Sequence, residues 1–67
     1  MKSIIKICNM DSQNDAKRIQ DAIVNNSGIV ATQISLAKKE VTVIYNEVFL
    51  DIENITECIE DLGYIII

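Results

Sequence analysis

Sixty-seven residues, a formal net charge of −4 and no histidine set narrow limits on this chain. A chain of this length is expected to form one domain over residues 1–67, with a thin core and little stability to spare. The acidic balance argues against a phosphate backbone as partner, so no nucleic acid is expected, and the missing histidine removes the commonest general base and the commonest nitrogen ligand.

The apolar share of 49% includes one Phe, two Tyr and no Trp. The expected core is therefore aliphatic, with almost no platform on which a base could stack. Cys8 and Cys58, the two cysteines, are too far apart for zinc-type Cys-x-x-Cys spacing and too few for a disulfide framework. The sequence reads without a signal peptide or a bilayer-length apolar run. Cytoplasm with reduced thiols is the expected setting, and no membrane insertion is expected.

Ser3–Cys8 alternates, with Ile5 and Ile7 on one side and Ile4, Lys6 and Cys8 on the other, which predicts a strand. A polar run follows from Asn9 to Asp15, interrupted by Met10. Ala16, Ile19, Ala22 and Ile23 then recur at helical spacing, opposite Lys17, Arg18, Gln20 and Asp21. Asn25-Asn26-Ser27-Gly28 supplies the residues that tolerate the left-handed geometry of a helix end. Val30–Leu36 predicts a second strand with Thr32, Ile34 and Leu36 on one face, and Ala37–Glu40 a hairpin turn. Val41–Tyr45 predicts a third strand with Val41, Val43 and Tyr45 inward. After a loop, Asp51 is the expected cap of a second helix, with Leu50 and Ile55 placed as a hydrophobic staple. Ile52, Ile55, Ile59 and Leu62 form its expected buried stripe, Gly63 its end, and Tyr64–Ile67 a last strand. The order βαββαβ predicts an α+β, ferredoxin-like sandwich: one antiparallel sheet with two helices on one face.

One segment carries a local chemical signal. Ser12-Gln13-Asn14-Asp15 has the spacing of a capping box, in which Ser12 accepts from the backbone near Asp15 and Asp15 reaches back to the backbone of Ser12. The negative charge of Asp15 also suits a helix N-terminus.

The same region resembles the heavy-metal-associated domain family of small copper chaperones and of the soluble metal-binding modules of metal-pumping P-type ATPases. The resemblance rests on Asn9-Met10-Asp11-Ser12-x-x-Asp15 after the first strand, and on Lys17-Arg18-Ile19 with Ala22-Ile23 and Gly28. It continues through Ile34-Ser35-Leu36, Val41-Thr42-Val43 and Tyr45-Asn46 to Ile59-Glu60-Asp61-Leu62-Gly63-Tyr64, close to the family's Ile-Glu-Asp-Ala-Gly-Tyr. It implies the ferredoxin-like fold and a metal loop at the first helix. The family's loop reads Gly-Met-Thr-Cys-x-x-Cys, or Gly-Met-Asp-Cys-x-x-Cys in zinc- and cadmium-handling members, and its two thiolates grip a soft ion. Here Ser12 and Asp15 stand at the cysteine positions and Asn9 at the glycine, while Met10 and Asp11 match.

On this alignment Met10, Asp11, Ser12 and Asp15 form a degenerate metal site, with Cys8 and Tyr64 as its candidate neighbours. A serine hydroxyl is a poor ligand for a soft ion, and an aspartate prefers hard cations that need several oxygens. No cofactor is expected. The alternative is a weak site, for a divalent cation at Asp11 and Asp15 or for Cu(I) at Cys8 and Met10. In the family Met10 packs beneath the loop, Tyr64 lies near the metal, and the position of Cys58 takes a small packing residue. Without a metal, Tyr64 reads as an aromatic anchor.

The expected function is a metallochaperone-like module that lacks the usual cysteine pair and acts by protein contact in metal transport. The expected partner is a metal-transporting P-type ATPase or a second copy, reached through the open sheet face (Ile4, Cys8, Ile44, with Ile65 or Ile67) or the last edge strand. No enzyme is expected. Arg18, the only arginine, falls inside a helix and not in a phosphate-cradling loop.

Overall fold

The computed structural model describes residues 1–67. Its elements are β1 (Lys2–Lys6), α1 (Gln13–Val24), β2 (Ile29–Ser35), β3 (Glu40–Tyr45) and α2 (Ile52–Asp61). The strands form one antiparallel sheet in the order β1-β3-β2, with Ser3 opposite Val43 and Gln33 opposite Thr42. Each strand alternates as its residue types require. Ile5, Val41, Val43 and Tyr45 face the helices and are buried, whereas Ile4 and Ile44 face outward. Ile19 and Ile23 of α1 and Ile55 and Ile59 of α2 close onto that inner face, and Leu50, Met10 and Tyr64 complete the same core cluster. The architecture is the expected ferredoxin-like one, with both helices on one face of the sheet.

Four details depart from the sequence reading. The predicted last strand, Tyr64–Ile67, is reduced to a single bridge between Ile7 and Ile66. Two backbone bonds flank that bridge, from Cys8 N–H to Ile65 O and from Ile67 N–H to Lys6 O. A side chain ends the ladder there, because the N–H of Ile65 donates to Asn9 Oδ1 at 2.8 Å. Leu62 lies past the end of the buried stripe and is 37% exposed. Gly63, at φ 96°, turns the chain back, and Tyr64 enters the core in its place.

Asp51 occupies the N-cap of α2 but its side chain accepts no capping bond. Leu50 and Ile55, the two staple positions, are both in the core. At the end of α1, Asn25 is right-handed and Gly28 carries the positive φ. The Asn26 amide does the capping instead, donating to Ala22 O and Ile23 O at 3.2 Å each.

Candidate functional site

The segment from Cys8 to Asp15 leaves the end of β1 and runs into α1. Its anchor is Met10, whose side chain is fully buried in the core. Around that anchor the polar residues are held one by one. Ser12 is the N-cap of α1 with an extended backbone, and the N–H of Asp15 donates to Ser12 Oγ at 3.2 Å. Asp15 Oδ2 accepts in return from the N–H of Ser12 at 3.2 Å and from that of Asp11 at 3.1 Å. The expected capping box is therefore present, and Asp15 ties one residue more than the box requires.

The other oxygen of Asp15 is also engaged. The Tyr64 hydroxyl, 49 residues away in sequence, donates to Asp15 Oδ1 at 2.6 Å. Such a short O–H···O⁻ contact is the strong, charge-assisted kind. It holds the Asp15 carboxyl below its ordinary value, with the Asp11 N–H as the next cause and desolvation opposing both. The same bond, followed by burial, raises the Tyr64 phenol. Tyr64 is thus an anchor, as its position suggested, and also a ligand of the Asp15 carboxylate.

Asp11 points elsewhere. Its Oδ1 pairs with Lys39 Nζ at 3.0 Å across the loop, in an exposed, solvent-screened pair. Lys39 Nζ also donates to Cys8 O at 3.2 Å. Lys39 reaches this position because the β2–β3 turn puts it at positive φ, and because β3 begins beside the end of β1. Asn9 joins the loop to the tail, accepting from Ile65 N–H and donating to Gly63 O at 3.4 Å. In sequence Asn9 stands at the family's glycine and Lys39 falls in a turn. The β1–β3 pairing would have pointed to Lys39, but nothing in local spacing marks Asn9.

Of the residues read from sequence, Ser12, Asp15 and Tyr64 come together. Asp11 shares Asp15 only through its backbone. Cys8 is an exposed free thiol in the turn that follows β1, whereas Met10 is fully buried. Cys58 is half-buried against Asn26, whose Nδ2 lies 3.4 Å from its sulfur. No group of three or more His, Cys, Asp or Glu side chains converges where it could hold a metal ion. On the open sheet face Ile4 is 57%, Ile44 41%, Ile65 60% and Ile67 78% exposed.

The model of the heavy-metal-associated domain matches residues 4–64. The chain belongs to the heavy-metal-associated domain family. The copper chaperone CopZ of Staphylococcus epidermidis is 29% identical to it over 63 residues, spanning 94% of this chain and 93% of that protein. The structure of a CopZ metallochaperone superposes with a TM-score of 0.96 at 21% identity, over 100% of both chains. A copper binding domain from a P-type ATPase gives 0.92 at 21% identity, over 98% of this chain and 89% of that one. At these identities the structural likenesses show the heavy-metal-associated fold. No helix of the chain is long and apolar enough to cross a membrane.

Proposed function

We propose that this heavy-metal-associated domain is a metallochaperone-like protein-interaction module whose ion-binding loop has become a structural joint. Ser12 and Asp15 stand at the positions of the family's two thiols, and Met10, Asp11 and Tyr64 surround them. One observation carries the reading: both carboxylate oxygens of Asp15 are taken, Oδ2 by backbone N–H groups and Oδ1 by Tyr64. A cation would compete with the helix cap at Oδ2 or with the phenol at Oδ1, while the neighbouring Asp11 is drawn to Lys39. Neither cysteine position of the family's loop carries a thiol to favour a soft ion, and the one thiol nearby, Cys8, is exposed at the start of the segment.

The partner best supported is the soluble domain of a metal-transporting P-type ATPase, since a copper binding domain of such a pump shares this fold. The exposed Ile4, Ile44, Ile65 and Ile67 offer an apolar surface for contact. The role is one of binding and not of enzymatic turnover. A reducing, cytoplasmic setting accords with two unpaired thiols.

The test is competition for Cu(I) against a chelator, with wild type and Cys8→Ser, alongside titration with Zn²⁺ followed by NMR. Wild type is expected to yield Cu(I) to the chelator, and Zn²⁺ to leave Asn9–Asp15 and Tyr64 unshifted. Retention of Cu(I) with submicromolar affinity, or Zn²⁺ shifts centred on Asp11 and Asp15, would replace this reading with an altered metal carrier.

A further inference from the structure

The far edge of the sheet, away from the Asn9–Asp15 loop's tail contacts, is open. β2 pairs only with β3. Its seven residues, Ile-Val-Ala-Thr-Gln-Ile-Ser, carry no charge and no proline. Apart from an irregularity between Ile29 and Ala31, β2 lacks the devices that keep an edge strand from pairing.

Strand alternation shows which backbone groups are free. Tyr45 N–H bonds toward β1, to Met1 O, and Asn46 N–H bonds the other way, to Gly28 O. Even-numbered residues of β3 therefore bond toward β2. Ala31, Gln33 and Ser35 stand opposite Ile44, Thr42 and Glu40, so their backbone groups are the ones used within the sheet. The N–H and C=O of Thr32 and Ile34 point outward. Behind them, α1 and β2 leave an open groove of about 450 Å³ lined by Gln13, Ala16, Lys17, Gln20, Ile34 and Leu36.

We propose that a second copy of this chain covers this edge, β2 against β2 and antiparallel, about a two-fold axis at Gln33. That axis pairs Thr32 with the partner's Ile34 and Ile34 with the partner's Thr32. All the outward backbone groups of both residues are then used on both copies. No charge is buried between the strands, because neither strand carries one.

Charge complementarity selects a second copy over an unrelated strand. Gln20 Nε2 donates to Thr32 Oγ1 at 3.4 Å, and Ala16 and Lys17 line one groove with Ile34 and Leu36. Gln33 is therefore level with the part of α1 between Lys17 and Gln20. The two-fold at Gln33 runs the two α1 helices antiparallel and sets Lys17 within one residue's rise of the partner's Asp21. Both side chains are exposed, and the pairing occurs twice because the interface is isologous. This proposal does not depend on how the Asn9–Asp15 loop is read.

Sedimentation velocity of the full chain from about 10 µM to about 1 mM tests it. The mass is expected to rise from 7.5 kDa toward twice that value. Amide hydrogen exchange should show protection of Thr32 and Ile34 growing with concentration. Gln33→Lys puts like charges directly across the axis and is expected to weaken association by about tenfold or more. An equimolar mixture with Gln33→Glu is expected to restore it as a heterodimer. Should Gln33→Lys fail to fold, Lys17→Glu and Asp21→Lys, each weaker alone and restored when combined, serve the same purpose. A monomer at 1 mM overturns the proposal. So does a dimer whose Thr32 and Ile34 amides exchange freely, or one indifferent to these charges.

Discussion

Asp15 is where local and long-range structure meet. Its box with Ser12 is local, set by a spacing of three residues, and Ser12→Ala is expected to cost about 1 kcal/mol. For a domain of this size that is a fall in Tm of about 4–8 °C, readable by circular dichroism. The bond to Tyr64 adds a pH signature. Because the folded carboxyl of Asp15 lies below its ordinary 3.8, its contribution is fully present above that value and is lost as pH falls through the lower, folded value. The phenol of Tyr64 lies above its ordinary 10.0, so its contribution is fully present below that value and is lost as pH rises through the higher, folded one. Denaturant unfolding across pH should show the deficits of Asp15→Asn and Tyr64→Phe each shrinking in acid, where Asp15 is protonated, and again in alkali, where Tyr64 is ionised, because one bond links the two groups. Deficits independent of pH would mean that the bond does not persist in solution. Ser12→Cys combined with Asp15→Cys is expected to create Cu(I) binding on the same loop. A folded double variant that binds none would show that these positions are not the family's metal positions.

At the scale of elements, the turns can be told apart. Gly28 and Gly63 both adopt φ 96°, yet a Cβ on Gly28 would lie 3.1 Å from Phe49 Cβ, whereas one on Gly63 meets nothing within 4 Å. Gly28→Ala is expected to cost about 2 kcal/mol, from backbone strain and the contact together. Gly63→Ala should cost about 1 kcal/mol, from backbone strain alone. Urea midpoints in the reverse order would contradict that assignment. Strands and helices were legible from period alone: Ile5 and Ile7, Val41, Val43 and Tyr45, and Ile19 with Ile23 all face the core as their spacing requires. The ends were less legible. Whether Asp51 caps with its side chain, and whether Tyr64–Ile67 forms a ladder, depends on competing partners. For the tail that partner is Asn9, which no window of neighbouring residues contains.

Across the whole molecule, the buried core contains twelve residues, all of them hydrophobic. A chain this short has a total stability of roughly 3–10 kcal/mol. Ile19→Ala, at a fully buried position, is expected to remove about 2–5 kcal/mol. Thermal unfolding should show a Tm lowered by about 10 °C or more. A shift of only a few degrees would mean that the core relaxes around the gap. The outer surfaces divide by composition. The open sheet face carries exposed isoleucines, and the β2 edge carries none of the charges found on the helices. A fold with so small a core therefore keeps ample apolar and backbone surface for partners.

Residue order alone determined the βαββα frame, the inward faces and the Ser12–Asp15 cap, because each rests on interactions within a few residues of one another. The likeness to the heavy-metal-associated family was legible for the same reason, from motifs lying in register along the chain. Only the tertiary structure decided what became of the Asn9–Asp15 loop. Tyr64 on Asp15, Lys39 on Asp11 and Asn9 on the tail join positions separated by 28 to 56 residues. Chain reversal through two turns and a helix brings them together, and side-chain hydrogen bonds of this kind leave no periodic trace in sequence.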